Sequence, residues 1–128
     1  MDLKLAGRVA VITGPAKGMG AAITKAFAAE GTQLALLGRD TAAIESVANE
    51  VRGAGAQAIV VRCDLTDAGQ CQQGAAEAQQ RFGRIDILVN VAGGSGPIGK
   101  SGLETTPQEF EDIVRLNMNG CFTPCVLC

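Results

Sequence analysis

The 128-residue chain contains no His, no Tyr and no Trp, and only four Phe. These absences exclude whole classes of chemistry. Without His there is no Ser-His-Asp or Cys-His relay, no imidazole general base and no imidazole metal ligand. Without Tyr there is no phenol to pass a proton. An aromatic content of 3 % leaves too few rings to stack single-stranded bases, and a net charge of −2 lacks the basic face of a nucleic-acid binder. No nucleic-acid partner is therefore expected. No apolar run approaches the roughly 18 residues of a membrane span, so no membrane partner is expected either. The apolar stretch Val9–Ile12 is too short for the core of a signal peptide. Five Cys, an odd number without secretory context, read as free thiols of a cytoplasmic chain.

What is present suits a soluble globular domain: 47 % hydrophobic residues and 19 % charged ones can build a core. Seventeen Gly is an excess that marks tight turns or backbone brought close to a ligand. Short β-branched runs alternate with helical stretches. Arg8–Thr13, Gln33–Leu37, Ala58–Arg62 and Ile85–Val91 read as strands. Gly18–Glu30, Thr41–Arg52, Ala68–Phe82 and Pro107–Met118 read as helices, the second capped by Thr41 and the fourth by Thr106. Gly93–Gly102 is a Gly-rich loop. The β-α-β-α-β-α-β-α order predicts an α/β fold of the Rossmann type, a doubly wound parallel sheet with helices on both faces. No repeat or linker divides it.

Between the first strand and the first helix lies Thr13-Gly14-Pro15-Ala16-Lys17-Gly18-Met19-Gly20. Gly14 permits the turn out of the strand, Gly18 lets backbone approach a pyrophosphate, and Gly20 lets the helix pack closely. The helix N-terminus then offers free N–H groups and partial positive charge to phosphate. No Gly-Lys-Ser/Thr follows, so this is not a Walker loop.

The spacing Thr13-Gly-x-x-x-Gly18-x-Gly20 resembles the motif of the short-chain dehydrogenases/reductases. Three more segments resemble that family in the same order: Cys63-Asp64-Leu65, Asn90-Val91-Ala92-Gly93, and Leu116-Asn117-Met118-Asn119-Gly120. The resemblance runs from residue 5 to about residue 122. It implies a cofactor-binding set of Thr13, Gly14, Lys17, Gly18, Met19, Gly20, Arg39, Asp64, Leu65, Asn90, Ala92 and Gly93, with Asp64 at the adenine. It also implies that Asn117 is the Asn of the family's catalytic tetrad. Each has a plainer alternative. Asp64 would merely cap the third helix, Asn90 would hold sheet backbone, and Asn117 would bond helix backbone. Val91 departs from the family's second Asn.

By the same resemblance, the carboxylate that selects NAD stands eighteen residues after Gly20, where this chain has Gly38 and then Arg39. Gly38 leaves space, and Arg39 with Lys17 suits a 2′-phosphate. NADP is the expected cofactor. Asp40 leaves room for NAD if the turn shifts by a residue or two.

The family's reaction is hydride transfer between a nicotinamide and a carbonyl or alcohol, and its Ser, Tyr and Lys stand in its second half. None of those three has a counterpart here. The resemblance therefore implies an incomplete sheet in the order 3-2-1-4, with residues 1–122 as its dinucleotide-binding part. The apolar fourth strand would be left as an edge that invites homo-oligomerisation or edge pairing. Residues 123–128 (Thr-Pro-Cys-Val-Leu-Cys) read as an aberrant tail, because Pro124 is expected to break the long helix that family members continue. A frame shift is one account of it: suitable codons, read two bases later, give the family-like Pro-Met-Arg-Ala-Val. Cys121, Cys125 and Cys128 lack a fourth ligand, so no metal is expected. Three functions stay open: the inactive first half of a short-chain oxidoreductase, a non-catalytic dinucleotide-binding module, and an interaction fragment.

Overall fold

The computed structural model describes all 128 residues. Four parallel strands, β1 (Val9–Thr13), β2 (Gln33–Gly38), β3 (Ala58–Arg62) and β4 (Ile87–Asn90), lie in the order β3-β2-β1-β4. Helices α1 (Gly18–Ala29), α2 (Thr41–Gly53) and α3 (Ala68–Phe82) make the crossovers. Helix α4 (Pro107–Val114) passes through a π-helical turn, Arg115–Asn119, into α5 (Gly120–Leu127).

The sheet's two faces explain why its strands are continuously apolar rather than alternating. Ala10, Ile12, Leu34 and Leu36 point to the side covered by α1 and α2, where Ile44, Ala48 and Val51 meet them. Val11, Ala35, Leu37 and Val61 point to the other side, covered by α3 with Cys71 and Ala78. Every residue of β1 is buried. Each large side chain removed from water this way contributes on the order of 1.5–3 kcal/mol. Gly74 of α3 sits so close to the sheet that a Cβ there would lie 2.8 Å from Leu37 Cδ2.

The structure departs from the sequence reading at several places, among them the fourth helix, read as Pro107–Met118 but giving way to the π turn after Val114. First, β4 spans four residues rather than the seven of Ile85–Val91. Its pairing with β1 runs only from Ala10↔Ile87 to Thr13↔Asn90, and no strand pairs with its other edge. All four of its residues are half-buried. Second, Asp40, not Thr41, caps α2: its carboxylate accepts from the Ala43 amide at 3.1 Å. Third, Pro124 does not break the last helix. Pro124 forfeits one backbone bond, to the Gly120 carbonyl, but Gly120 and Pro124 are the buried residues of α5, and the helix packs on α3 and β4. That packing offsets the lost bond. The fourth cap is as read: Thr106 and Glu109 form a reciprocal capping box.

Candidate functional site

The carboxyl ends of β1, β2, β3 and β4 and the turns that follow them surround a cleft of about 600 Å3. It lies where the chain crosses from β1 to β2 on one side and neighbours β4 on the other, the switch point at which such sheets bind ligands.

The first wall is the β1–α1 turn, Gly14 to Gly20. A Cβ on Gly14 (φ +66°) would lie 2.8 Å from the Cα and amide nitrogen of Ala92. A Cβ on Gly20 would lie 2.0 Å from the Gly14 carbonyl oxygen. Neither position tolerates a side chain without movement. Lys17 is the N-cap residue of α1 and is extended, but its side chain caps nothing, and the first turn holds no acidic residue. The first helical acceptor, the Lys17 carbonyl, serves Ala21. The N-terminus of α1 is thus a cluster of bare donors facing the cleft, suited to an anion.

The second wall comes from the end of β2. Gly38, Arg39 and Asp40 line it, with Ile44 behind. A Cβ on Gly38 would lie 2.7 Å from Ile44 Cδ1. Neither Arg39 nor Lys17 belongs to an ion pair of the structure. Two cations therefore face the cleft with no protein counter-charge in contact.

Cys63, Asp64 and Leu65, just past β3, form the third wall. The Cys63 amide donates to the Gly38 carbonyl at 2.9 Å and ties this wall to the second. Asp64 does not cap α3; Asp67 does, accepting from the Gln70 amide at 3.1 Å. Asp64 instead accepts from the Thr66 hydroxyl at 2.7 Å and the Thr66 amide at 3.0 Å. These bonds hold its carboxyl below the usual carboxylate range, with smaller help from Arg39 and Arg62.

The fourth wall is Val91, Ala92 and Gly93 after β4, with Leu116 from the π turn. Thr13 fixes it from behind. Its buried hydroxyl accepts from the Val91 amide at 3.2 Å and the Ala92 amide at 3.4 Å, and donates to the Val89 carbonyl at 3.5 Å.

The cleft brings together Gly14, Lys17, Met19, Gly20, Arg39, Asp64, Leu65, Ala92 and Gly93 of the expected set. Thr13, Gly18, Asn90 and Asn117 are not on its surface. Asn117 clamps the neighbouring loop: its Oδ1 accepts from the Gly94 amide at 3.1 Å, and its Nδ2 donates to the Gly94 carbonyl at 2.8 Å and the Ile113 carbonyl at 2.9 Å. Asn90 Nδ2 donates to Cys125 Sγ at 3.3 Å, while its buried Oδ1 has no partner. The sequence reading missed the apolar lining from Pro15, Ile44 and Leu116. Ile44, the first apolar residue after the α2 cap, carried a signal in its position; Leu116 carried none. No group of three or more Cys, Asp or Glu is placed to hold a metal. No helix is long and apolar enough to cross a membrane.

The short-chain dehydrogenase family model matches residues 8–128. L-fucose dehydrogenase of Oryctolagus cuniculus is 36 % identical over 124 residues, covering 97 % of this chain and 42 % of that protein. A dehydrogenase/reductase structure from Sinorhizobium meliloti superposes with a TM-score of 0.91 at 35 % identity, over 96 % of this chain and 48 % of the other. A variant of actinorhodin polyketide ketoreductase solved with NADPH gives 0.88 at 28 % identity, over 99 % of this chain and 48 % of that one. The chain spans about half the length of the curated relatives it matches. The motif order, the 3-2-1-4 sheet and the family match agree: the chain belongs to the short-chain dehydrogenase family.

Proposed function

We propose that these residues form the dinucleotide-binding part of an NADP-preferring short-chain oxidoreductase. The observation that carries this reading is the pair Lys17 and Arg39, two unpaired cations lining one cleft with the bare N-terminus of α1. The residues present fit a dinucleotide. A Cβ on Gly14 or Gly20 would clash within the cradle, and the donors at α1 suit a pyrophosphate. By the family resemblance, Asp64 on the third wall would contact the adenine.

Two details favour NADP over NAD. Gly38 occupies the position of the NAD-selecting carboxylate and is packed against Ile44. Asp40, the nearest carboxylate, is engaged as the α2 cap. Arg39 and Lys17 would take a 2′-phosphate by charge-assisted hydrogen bonds.

When bound, the dinucleotide supplies the hydride donor or acceptor. This chain's residues bind and orient it. Thr13 fixes Val91 and Ala92, and Asn117 fixes Gly94, so that the wall beside the cofactor is rigid. No Tyr is present to exchange the substrate proton, so the 128 residues alone bind without turning over. Five free thiols favour a reducing compartment, the cytoplasm.

Titration of the chain with NADPH and NADH by calorimetry tests the reading. NADPH should bind about tenfold tighter or more, since charge-assisted bonds contribute about 1.5–3 kcal/mol. Tighter NADH binding would reverse the preference. The unpaired edge of β4 favours a second reading, in which another chain pairs along Ile87–Asn90. Sedimentation with and without dinucleotide separates the two: a monomer that binds NADPH opposes edge pairing.

A further inference from the structure

Two thiols that the dinucleotide reading does not use lie against each other beside the cleft. Cys63 follows β3 and lines the third wall; Cys71 is in the first turn of α3. Both are buried, and Cys63 Sγ donates to Cys71 Sγ at 3.9 Å. Cys71 Sγ in turn faces the Leu65 carbonyl at 3.7 Å and the Asp64 carbonyl at 4.0 Å. The sulfur pair is therefore part of what holds the Asp64–Leu65 turn.

We propose that Cys63 and Cys71 are a redox-sensitive pair that a peroxide closes into a disulfide, moving the Asp64–Leu65 turn on the wall of the cleft. A disulfide needs an S–S distance of about 2.05 Å. The sulfurs, now 3.9 Å apart, must approach by nearly half that separation. Cys71 then loses the S–H that faces two carbonyls of the turn.

The reaction balances with hydrogen peroxide as the two-electron oxidant. One thiol loses its proton, and its thiolate attacks a peroxide oxygen. The O–O bond breaks, hydroxide leaves and takes up a proton as water, and the sulfur becomes a sulfenic acid. The second sulfur attacks the sulfenic sulfur, the S–S bond forms, and a second water leaves with the second thiol's proton. Two thiols are oxidised and one peroxide is reduced to two waters. Both thiols are buried, Cys63 completely, so peroxide reaches them only when the Asp64–Leu65 turn opens. In a reducing compartment such disulfides are transient sensing devices rather than structural ones.

Burial pushes the Cys63 thiol up to about 12 and raises that of Cys71, so the pair rests protonated. The closing rate should rise with pH, as the thiolate fraction does.

The test is a thiol map of the full chain after treatment with hydrogen peroxide. Trypsin releases both residues on one peptide, Cys63 to Arg81, because no Lys or Arg lies between Arg62 and Arg81. That peptide should become two hydrogens lighter and refuse alkylation until a reductant is added. Cleavage before Asp64 and Asp67 should leave two pieces joined only through sulfur. Saturating NADPH should slow the closure by holding the Asp64–Leu65 turn shut, and the oxidised chain should bind NADPH at least about threefold more weakly, reversibly.

Cys71→Ser and, separately, Cys63→Ala should both abolish the lighter peptide. Alkylation of both thiols in the peroxide-treated native chain would overturn the proposal. So would a Cys71–Cys128 link in place of Cys63–Cys71. Closure with unchanged NADPH affinity would overturn the movement of the turn. The coupling rests on the dinucleotide reading. Failure of the reduced chain to bind NADPH would sink that reading and the coupling together, while the mass map decides the disulfide by itself.

Discussion

Gly20 faces the carbonyl oxygen of Gly14 so closely that a Cβ on Gly20 would lie 2.0 Å from it. Gly18, two residues earlier, has nothing within 4 Å of its Cβ position, and its demand is only for a positive φ of 54°. The two glycines of one motif are thus required for different reasons, contact at one and backbone conformation at the other. Gly18→Ala should cost about 1–2 kcal/mol from left-handed strain. Gly20→Ala should cost more, because the contacted atom is backbone, and it should also abolish NADPH binding by displacing α1 from the loop. Urea denaturation and a binding titration on both variants check the ranking. Equal losses would show that contact does not decide it.

Thr13 makes a second prediction from the same corner. Its hydroxyl is the acceptor for the amides of the half-buried Val91 and Ala92. Thr13→Val keeps the shape but leaves those amides without an acceptor, at about 1–3 kcal/mol. Thr13→Ser keeps the oxygen and should lose less. Comparing the two in denaturant separates the hydroxyl from the methyl. If Ser and Val are equally damaging, the hydrogen bonds are not what matters.

The strands and the β1–α1 turn were legible in the sequence because each follows from local chemistry; the strand order and the cleft's polar members came only with the family resemblance. Apolar runs such as Val9–Ile12 and Leu34–Leu37 mark buried parallel strands, and Gly14, Gly18 and Gly20 mark the turn. What depends on a partner was not legible. Ile85 and Asp86 are as strand-like by pattern as Ile87, but the ladder with β1 begins only at Ala10↔Ile87. The π turn at Arg115–Asn119 was invisible because one residue of extra winding leaves no mark on composition. It is the feature that sets Asn117 over Gly94 and Leu116 on the cleft. Pro124 was misread because its packing is tertiary, and propensity yields to packing.

Arg39 is the residue on which cofactor choice should turn. Arg39→Ala should weaken NADPH binding about ten- to a hundredfold, the equivalent of about 1.5–3 kcal/mol, and change NADH binding far less. Gly38→Asp should act oppositely, helping NADH and opposing NADPH, provided that Ile44 Cδ1, 2.7 Å from the new Cβ, swings aside. Ile44 is a flexible end rather than backbone, so the variant is expected to fold. Paired titrations of each variant decide it, and an Arg39→Ala chain that keeps its NADPH affinity would remove Arg39 from the site.

Asp86 gives the chain a defined acid limit. It precedes β4, and its Oδ2 accepts from the Val9 amide at 2.9 Å while Arg84 and Arg8 hold Oδ1. The Arg84 guanidinium, then the Val9 amide and the Arg8 guanidinium, lower its carboxyl from 3.8 to about 2. A carboxyl lowered on folding stabilises the native state above its unfolded value, and that contribution disappears as pH falls through the folded value. The window is therefore from about pH 4 down to about pH 2. Folding stability should drop across it, since the unfolded chain takes up the proton first. Asp86→Asn removes the titrating group, keeps an acceptor for Val9 and loses both arginines. It should be less stable than the native chain at pH 7 and should fall less between pH 4 and pH 2. Denaturant midpoints measured at pH 7, 4, 3 and 2.5 for both chains give the comparison. Parallel curves would mean that other carboxylates, not Asp86, set the acid limit.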